Sequence, residues 1–194
     1  MSNSKEIWTV RVIAGDKKGR RLVTPEGLDT RPTSDKVKEA LFSIIQFELD
    51  GAHFLDLFAG SGQMGIEALS RGAEKAIFVD MGRKPVECIR QNLKELGLSD
   101  KAEVHMQSVS DFVSFCSKKF DIVFMDPPYR DDLIVPILDK VAKITSESGA
   151  IICEIPKGEA LPESAGEFEL RRRYRYGKTE LALYRAKNTE TEIY

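Results

Sequence analysis

Apolar and polar residues are arranged along most of this chain so as to predict strands and helices in turn. Short apolar runs such as 53–58 and 120–125 indicate buried strands, and segments with apolar residues at helical spacing lie between them. Such an order is typical of a mainly parallel sheet with helices on both faces. The predicted strands are 53–58, 75–80, 102–106, 120–125 and 149–154, and the predicted helices are 63–71, 83–96, 109–117 and 132–145.

The two ends of the chain depart from this alternation. Residues 10–23 have strand-like patterning around a glycine turn and predict a β-hairpin, and the polar residues after Pro32 predict a helix that begins near Asp35. Near the other end, 167–176 and 179–186 predict an antiparallel hairpin. We therefore expect a Rossmann-like α/β fold with a seven-stranded, mostly parallel sheet, an N-terminal hairpin-and-helix extension over 1–50 and a main domain over 51–194.

Charge is distributed unevenly along the chain. The formal net charge is −2. Residues 5–38 carry nine Lys and Arg against five Asp and Glu, and residues 167–187 carry seven against three. The basic ends flank an acidic centre, a pattern that could steer a polyanion to one face, although two solvated surfaces would look the same in the sequence.

Several classes of protein are disfavoured by composition. The three cysteines are scattered without a C-x-x-C pair, which favours free thiols in a reducing compartment, and the two histidines are not clustered with other metal ligands. No apolar run is long enough to span a bilayer, and the first residues lack the apolar core of a signal peptide. We expect a monomeric cytoplasmic protein with no metal site and no membrane segment.

A glycine-rich turn follows the first predicted buried strand. Gly60, Gly62 and Gly65 match a nucleotide-binding pattern, in which glycines allow close backbone approach to a ligand and the following helix offers free N–H groups. Asp80 ends the next strand, where a carboxylate can accept hydrogen bonds from ribose hydroxyls. Asp56 favours S-adenosylmethionine, since it could meet the amino group of a methionine moiety and would be poorly placed beside a pyrophosphate. A nicotinamide oxidoreductase stays open as an alternative.

A second group of residues follows the strand 120–125. Asp126 and the Pro127 carbonyl are two hydrogen-bond acceptors that could grip an exocyclic amine, whose lone pair is otherwise delocalised into a base. Tyr129, after Pro128, offers a ring on which a flipped-out base could stack. Both groups of residues follow strand ends, so we expect them to face one crevice and to form the catalytic site.

These residues resemble the class I S-adenosylmethionine-dependent methyltransferases. Four further segments extend the resemblance to the RsmD-type family of bacterial enzymes, which methylate N2 of one guanine in small-subunit (16S) ribosomal RNA. These segments are Arg11–Gly15, Arg31–Thr33, Glu39–Phe42 and Glu67–Ala73. The similarity covers roughly residues 10–186. It implies that Asp56, Gly60 and Gly62 surround the methionine part of the cofactor, that Asp80 holds the ribose, that Ser108 and Val109 flank the adenine, and that Thr33 closes the methionine end. The full set of implied cofactor contacts is Thr33, Asp56, Phe58, Gly60, Ser61, Gly62, Asp80, Met81, Ser108 and Val109.

The resemblance also gives the basic ends a function. Phosphates of ribosomal RNA, free or in an assembly intermediate of the small subunit, would be held by Arg11, Lys17, Lys18, Arg20, Arg21 and Arg31. Arg171, Arg172, Arg173 and Arg175 could act in the same way or could simply protect a sheet edge with charge. An N6-adenine methyltransferase of DNA or RNA remains the nearest alternative, and an RNA-binding factor without catalytic activity is another.

Overall fold

A computed structural model describes residues 10–25, 34–128 and 132–187. It contains one eight-stranded sheet in the order β3-β2-β1-β4-β5-β8-β7-β6. The strands are β1 (His53–Leu57), β2 (Lys75–Asp80), β3 (Ala102–Met106), β4 (Phe120–Met125), β5 (Thr145–Pro156), β6 (Ser164–Ala165), β7 (Phe168–Tyr176) and β8 (Thr179–Ala186). The helices are α1 (Asp35–Ile44), α2 (Gln63–Ser70), α3 (Arg83–Leu96), α4 (Val109–Phe115) and α5 (Val135–Ile144), with a short 3-10 helix at Ser99–Lys101.

The first five strands of this sheet pair in parallel, and the last three are antiparallel additions. Successive residues of a strand point to opposite faces, so the sheet has one apolar layer on each side. Phe54 and Phe124 point into a core shared with α1, α2 and α3. Leu55 and Val123 point into a second core shared with α4 and α5. The predicted α/β fold with a C-terminal antiparallel hairpin is therefore confirmed.

Helix boundaries follow from local signals. Ser34 caps α1, because its hydroxyl accepts a hydrogen bond from the Val37 N–H at 3.4 Å. Pro85 lies in the first turn of α3, and Gly97 ends the helix in a left-handed conformation with φ +65°. These signals explain why the predicted bounds of α3 match the structure.

Three details of the predicted fold were wrong. The sheet has eight strands and not seven, because the two-residue β6 pairs with β7 and is too short to leave a pattern in the sequence. β5 begins at Thr145, directly after α5 and earlier than expected, and its pairing with β4 shifts register between Thr145 and Ala150. The N-terminal hairpin has only one β-bridge, Arg11 with Arg21, and not two strands.

The N-terminal extension packs on the main fold. Val12 and Leu22 belong to the same apolar core as α1, α2 and α3. Three backbone bonds join the two arms of its turn, including Val12 N–H to Arg20 C=O at 2.9 Å. The turn lies against the end of α2, where a Cβ on Gly15 would overlap the Ser70 carbonyl. This close approach requires glycine, since Gly15 also has φ +78°.

Candidate functional site

The strands β1 and β4 lie side by side at the centre of the sheet, and the strand order reverses between them. Ligands of open α/β sheets bind at the carboxyl ends of such a pair. Leu57 ends β1 and is paired with Met125, which ends β4. The Asp126 N–H points to the Leu57 carbonyl at 3.5 Å. The structure thus brings the glycine-rich turn and the Asp-Pro-Pro segment to one crevice, as predicted.

The turn after β1 has an unusual backbone. Gly60 (φ +54°) and Gly62 (φ +75°) both adopt left-handed conformations, and Phe58 is a non-glycine residue that does so, with φ +63°. A bulky side chain in this region is strained, and such strain is concentrated at binding sites. The turn closes with a 2.7 Å bond from the Gly62 N–H to the Ala59 carbonyl. Ser61 lies half-buried between the two glycines.

Gly60 and Gly65, two of the three glycines of the pattern, have different functions. A Cβ on Gly60 would meet nothing within 4 Å, so this backbone faces open space that a ligand could approach. A Cβ on Gly65, by contrast, would overlap the ring of Phe78 on β2. Gly65 therefore allows α2 to pack closely on the sheet, whereas Gly60 leaves room over the turn.

Asp80, at the end of β2, fixes two loops at once. Its Oδ2 accepts a hydrogen bond from the Gly60 N–H at 2.9 Å, and its Oδ1 accepts one from the Gly82 N–H at 2.7 Å. Each carboxylate oxygen can accept more than one hydrogen bond, so both keep capacity for a ligand. The side chain is half-buried at the edge of the sheet. Asp80 can therefore position the glycine turn and bind ribose hydroxyls together.

Asp56 lies beneath the turn and is almost completely buried, with 2% exposure. Its Oδ2 accepts a hydrogen bond from the Gly65 N–H at 2.9 Å. Burial raises the pKa of this carboxyl well above its ordinary value, and the nearby charges of Asp126 and Asp80 raise it further, although the Gly65 bond lowers it. The crevice therefore favours a ligand that brings positive charge.

Ser108 and Val109 begin α4 at the end of β3. The Ser108 hydroxyl accepts the Asp111 N–H at 3.0 Å and donates its proton to Asp111 Oδ2 at 2.7 Å. Toward a ligand it can therefore act only as an acceptor, which suits the amino group of an adenine. Met81, one residue after Asp80, is 78% exposed beside this edge. A large apolar side chain so exposed offers a surface for a flat ring.

The two consecutive prolines of the Asp-Pro-Pro segment restrict its backbone, because each proline ring fixes the dihedral angle φ. Asp126 is half-buried, Pro127 is buried and Pro128 is exposed. Thr33, Arg31 and Tyr129, which the sequence also assigned to binding or catalysis, lie outside the described residues.

Two buried charged residues anchor the N-terminal extension, and the sequence did not reveal them. Glu67 is fully buried on α2 and accepts the Ile13 and Ala14 N–H groups at 2.8 and 2.9 Å, together with Arg71 Nε at 2.8 Å. Lys38 is fully buried on α1 and donates to the Arg11 carbonyl at 2.7 Å. Burial lowers the pKa of Lys38, whereas the charge of Glu67 raises it. The hairpin backbone is thus held in one position on the main fold.

Asn92 links the extension to the glycine turn. Its buried amide accepts the Val23 N–H at 2.8 Å, donates to the Val23 carbonyl at 2.9 Å and also approaches the Ser61 carbonyl at 3.2 Å. The only signal for it in the sequence is an asparagine among the apolar positions of α3, beside Ile89 and Leu93. A polar residue on that face needs partners, and the structure supplies them.

Most of the basic residues of the hairpin point away from the core. Lys17 is half-buried, with its backbone N–H bonded to the Ser70 hydroxyl, and Arg11 lies 3.4 Å from Asp35 in an exposed ion pair. The exposed basic residues are Arg11, Lys18, Arg20 and Arg21.

No helix within the described residues is long and apolar enough to cross a membrane. Among the same residues there is also no cluster of three or more side chains suited to a metal ion.

Comparison with known proteins gives one consistent result. The model of the family described as Conserved hypothetical protein 95 matches residues 10–185. The ribosomal RNA small subunit methyltransferase D of Escherichia coli (strain K12) is 33% identical over 178 residues, which cover 90% of this chain and 89% of that protein. The enzyme of the same name from Haemophilus influenzae is 41% identical over 127 residues, covering 64% of this chain and 66% of that protein.

Solved structures agree with this result. The structure of yhhF from Escherichia coli matches with a TM-score of 0.83 and 32% identity, covering 94% of this chain and all of that chain. The structure of SMU.776 complexed with SAH matches with a TM-score of 0.63 and 14% identity, covering 77% of this chain and 48% of that chain. At that identity the second match concerns the fold alone.

Proposed function

Since the chain belongs to the Conserved hypothetical protein 95 family, we propose that it is an S-adenosylmethionine-dependent methyltransferase that acts on N2 of a guanine in 16S ribosomal RNA. The observation that carries the proposal is the meeting of two groups at the centre of the sheet. Asp126 lies one strand away from the glycine turn, with its N–H directed at the Leu57 carbonyl. A cofactor over the turn and an amine at Asp126 would then be neighbours.

The residues of the crevice fit this cofactor. S-adenosylmethionine supplies an activated methyl group on a positively charged sulfur. Asp80 has acceptor capacity left for the ribose hydroxyls, and Gly60 leaves open space above the turn. The carboxylate of Asp80 favours the cofactor's ammonium and sulfonium charges, and Asp56, whose pKa is raised by burial, would give up its proton when the ammonium binds beside it. The same carboxylates would repel a pyrophosphate, which weighs against a nicotinamide cofactor.

The target amine would be held by Asp126 and the Pro127 carbonyl. Each accepts one N–H of the exocyclic amine, so the nitrogen lone pair is turned out of the ring plane toward the methyl group. S-adenosylmethionine would supply the methyl group from its sulfonium, Asp126 and the Pro127 carbonyl would aim the amine at that carbon, and the surplus proton would pass from the nitrogen to water after the transfer. Catalysis then consists mainly of positioning two reactants. Tyr129 would stack on the extruded base.

Replacing Asp126 tests this assignment. Asp126→Ala should lower turnover by about 100-fold or more, the scale of losing a preorganised group that acts on the reacting atoms, while cofactor affinity stays nearly unchanged. Asp100→Ala, which removes an exposed carboxylate next to β3 at the opposite edge of the sheet, is a suitable control. Near-normal methyl transfer by Asp126→Ala would exclude Asp126 from the mechanism.

RNA docking would use the basic hairpin. Its backbone is fixed by Glu67, so its cations can meet phosphates without first ordering the loop. Such contacts set affinity and position rather than sequence choice. RNA affinity should fall steeply with salt, and replacing the basic residues with alanine should flatten the logarithmic salt dependence by about 0.7–0.9 per lost phosphate contact. If the plots of log affinity against log salt concentration have the same slope for wild type and variant, the hairpin does not contact RNA phosphates. The residues concerned are Lys17, Lys18, Arg20 and Arg21, with Arg11 and Arg31 as further candidates.

A further inference from the structure

The C-terminal hairpin formed by β7 and β8 projects beyond the edge of the sheet that carries the candidate site. Met125, the last residue of β4, is level with Cys153, Ala182 and Arg173 across the paired strands. Residues 174–178 therefore lie past that level. Strands in a sheet are about 4.8 Å apart, so three strand spacings put this projection about 14 Å to the side of Asp126.

Three of the four arginines of β7 are paired within the fold. Arg171 forms a 2.6 Å ion pair with Glu169 and donates to the Ala186 and Lys187 carbonyls at 3.0 Å. Arg173 binds the buried Glu180 at 2.8 Å and the Glu159 carbonyl at 2.6 Å. Arg175 is exposed but also pairs with Glu180, at 3.2 Å. These three residues stabilise the hairpin and its neighbouring loop, and their charges are already paired within the fold.

Two other basic residues of the hairpin, Arg172 and Lys178, are available to a ligand. Arg172 is exposed and lies over the ring of Tyr174, with its guanidinium carbon 5.1 Å from the ring centre. Lys178 is exposed at the tip of the hairpin. In the part of the chain that the structure describes, neither residue has an acidic partner. Tyr174 and Tyr176 are half-buried on the same face of the hairpin as Arg172, where they pack against the core under α1.

We propose that Arg172, Lys178 and Tyr176 bind the RNA strand that flanks the target nucleotide. This inference rests on the proposed function and adds a second RNA contact to it, on the far side of the site from β3. Arg172 and Lys178 are placed for phosphates a few nucleotides from the reacting base, and Tyr176 offers a ring for one unpaired base. Single-stranded RNA is recognised by this combination of cations and aromatic rings. If the basic residues only protected the outer strand β7 from pairing with another chain, their charges alone would be enough. That explanation does not account for the stacking of Arg172 on the ring of Tyr174 close to the catalytic site.

A charge-matched pair of variants tests the phosphate contacts. Arg172→Ala with Lys178→Ala removes two charges at the catalytic edge, and Lys75→Ala with Lys101→Ala removes two exposed charges at the opposite edge. The affinity of each protein for a 16S ribosomal RNA transcript is measured over a salt series. We expect the first variant to bind the RNA at least about tenfold more weakly than wild type. The slope of its log affinity against log salt concentration should flatten by about 1.4–1.8, which corresponds to the loss of two phosphate contacts. The second variant should stay close to wild type in both quantities. Equal slopes for the two variants would overturn the proposal.

Tyr176 is tested by a conservative replacement. Tyr176→Ala should weaken RNA binding about fivefold or more, whereas Tyr176→Phe, which keeps the ring, should bind as wild type does. Equal affinities for all three proteins would contradict stacking.

Cofactor binding and product analysis keep this inference separate from the proposed function. If the wild type methylates the RNA and the charge variants bind the RNA as tightly as wild type does, the proposed RNA contact of the hairpin is wrong and the proposed function stands. Wild type that neither binds nor methylates the transcript would overturn both.

Discussion

Replacing Asp80 with alanine should weaken cofactor binding through two effects that the structure separates. The first is the loss of the acceptor for the ribose hydroxyls. A hydrogen bond to a charged group contributes about 1.5–3 kcal/mol, so the dissociation constant should rise about 10- to 150-fold. The second is the loss of the anchors for the Gly60 and Gly82 N–H groups, which lie at 2.9 and 2.7 Å from the carboxylate.

The two effects can be measured apart. Gly60 and Gly82 are half-exposed, so water can replace the lost carboxylate and the free energy of unfolding should fall by only about 1–2 kcal/mol, near the lower end of the range for such bonds. Asp80→Asn keeps one oxygen acceptor and the shape of the side chain, and it should bind the cofactor with an affinity between wild type and Asp80→Ala.

Calorimetric titration with S-adenosylmethionine and urea denaturation of the same samples give both quantities. Asp100→Ala, which removes an exposed carboxylate at the other edge of the sheet, controls for the change in net charge. An unchanged dissociation constant for Asp80→Ala would refute the reasoning, because the cofactor would then have to bind away from the end of β2.

Three further results are expected. Cofactor binding should release a proton, because the ammonium of the ligand would lower the raised pKa of Asp56. Cofactor affinity should therefore fall as the pH drops through that raised pKa. Calorimetry in buffers of different ionisation enthalpy measures the proton release, and Asp56→Asn should abolish both effects. Gly65→Ala should lower the free energy of unfolding by about 1–3 kcal/mol, since its methyl group would overlap the Phe78 ring, and no loss in urea denaturation would contradict that packing. Ser108→Ala should cost about 1 kcal/mol of stability as a lost helix cap and should also weaken cofactor binding, whereas a loss of stability alone would limit Ser108 to capping α4 through Asp111.

Local signals made much of the fold predictable. The bounds of β2 and α3 match the sequence prediction because each element has its own pattern, and Pro85 and Gly97 mark the ends of the helix. The meeting of Asp126 with the glycine turn was also predictable, since parallel strands end at one edge of a sheet. The two-residue β6 was missed because such a short strand has no periodicity.

Contacts between distant residues could not be predicted in the same way. Glu67 and Asn92 bind backbone groups 54 and 69 residues away in the chain, and nothing near them in the sequence indicates those partners. The arginines of β7 looked equivalent in the sequence. Strand register and the positions of Glu180 and Glu159 determine that Arg173 is held within the fold.

The central proposal is tested most directly by identifying the methylated nucleoside. The purified protein would be incubated with 16S ribosomal RNA or small-subunit particles and S-adenosylmethionine labelled in the methyl group, and the RNA would then be digested to nucleosides for mass spectrometry. We expect the label in N2-methylguanosine, at one position, with none transferred by Asp126→Ala. Label in N6-methyladenosine, or no labelled nucleoside from either substrate, would contradict the assignment.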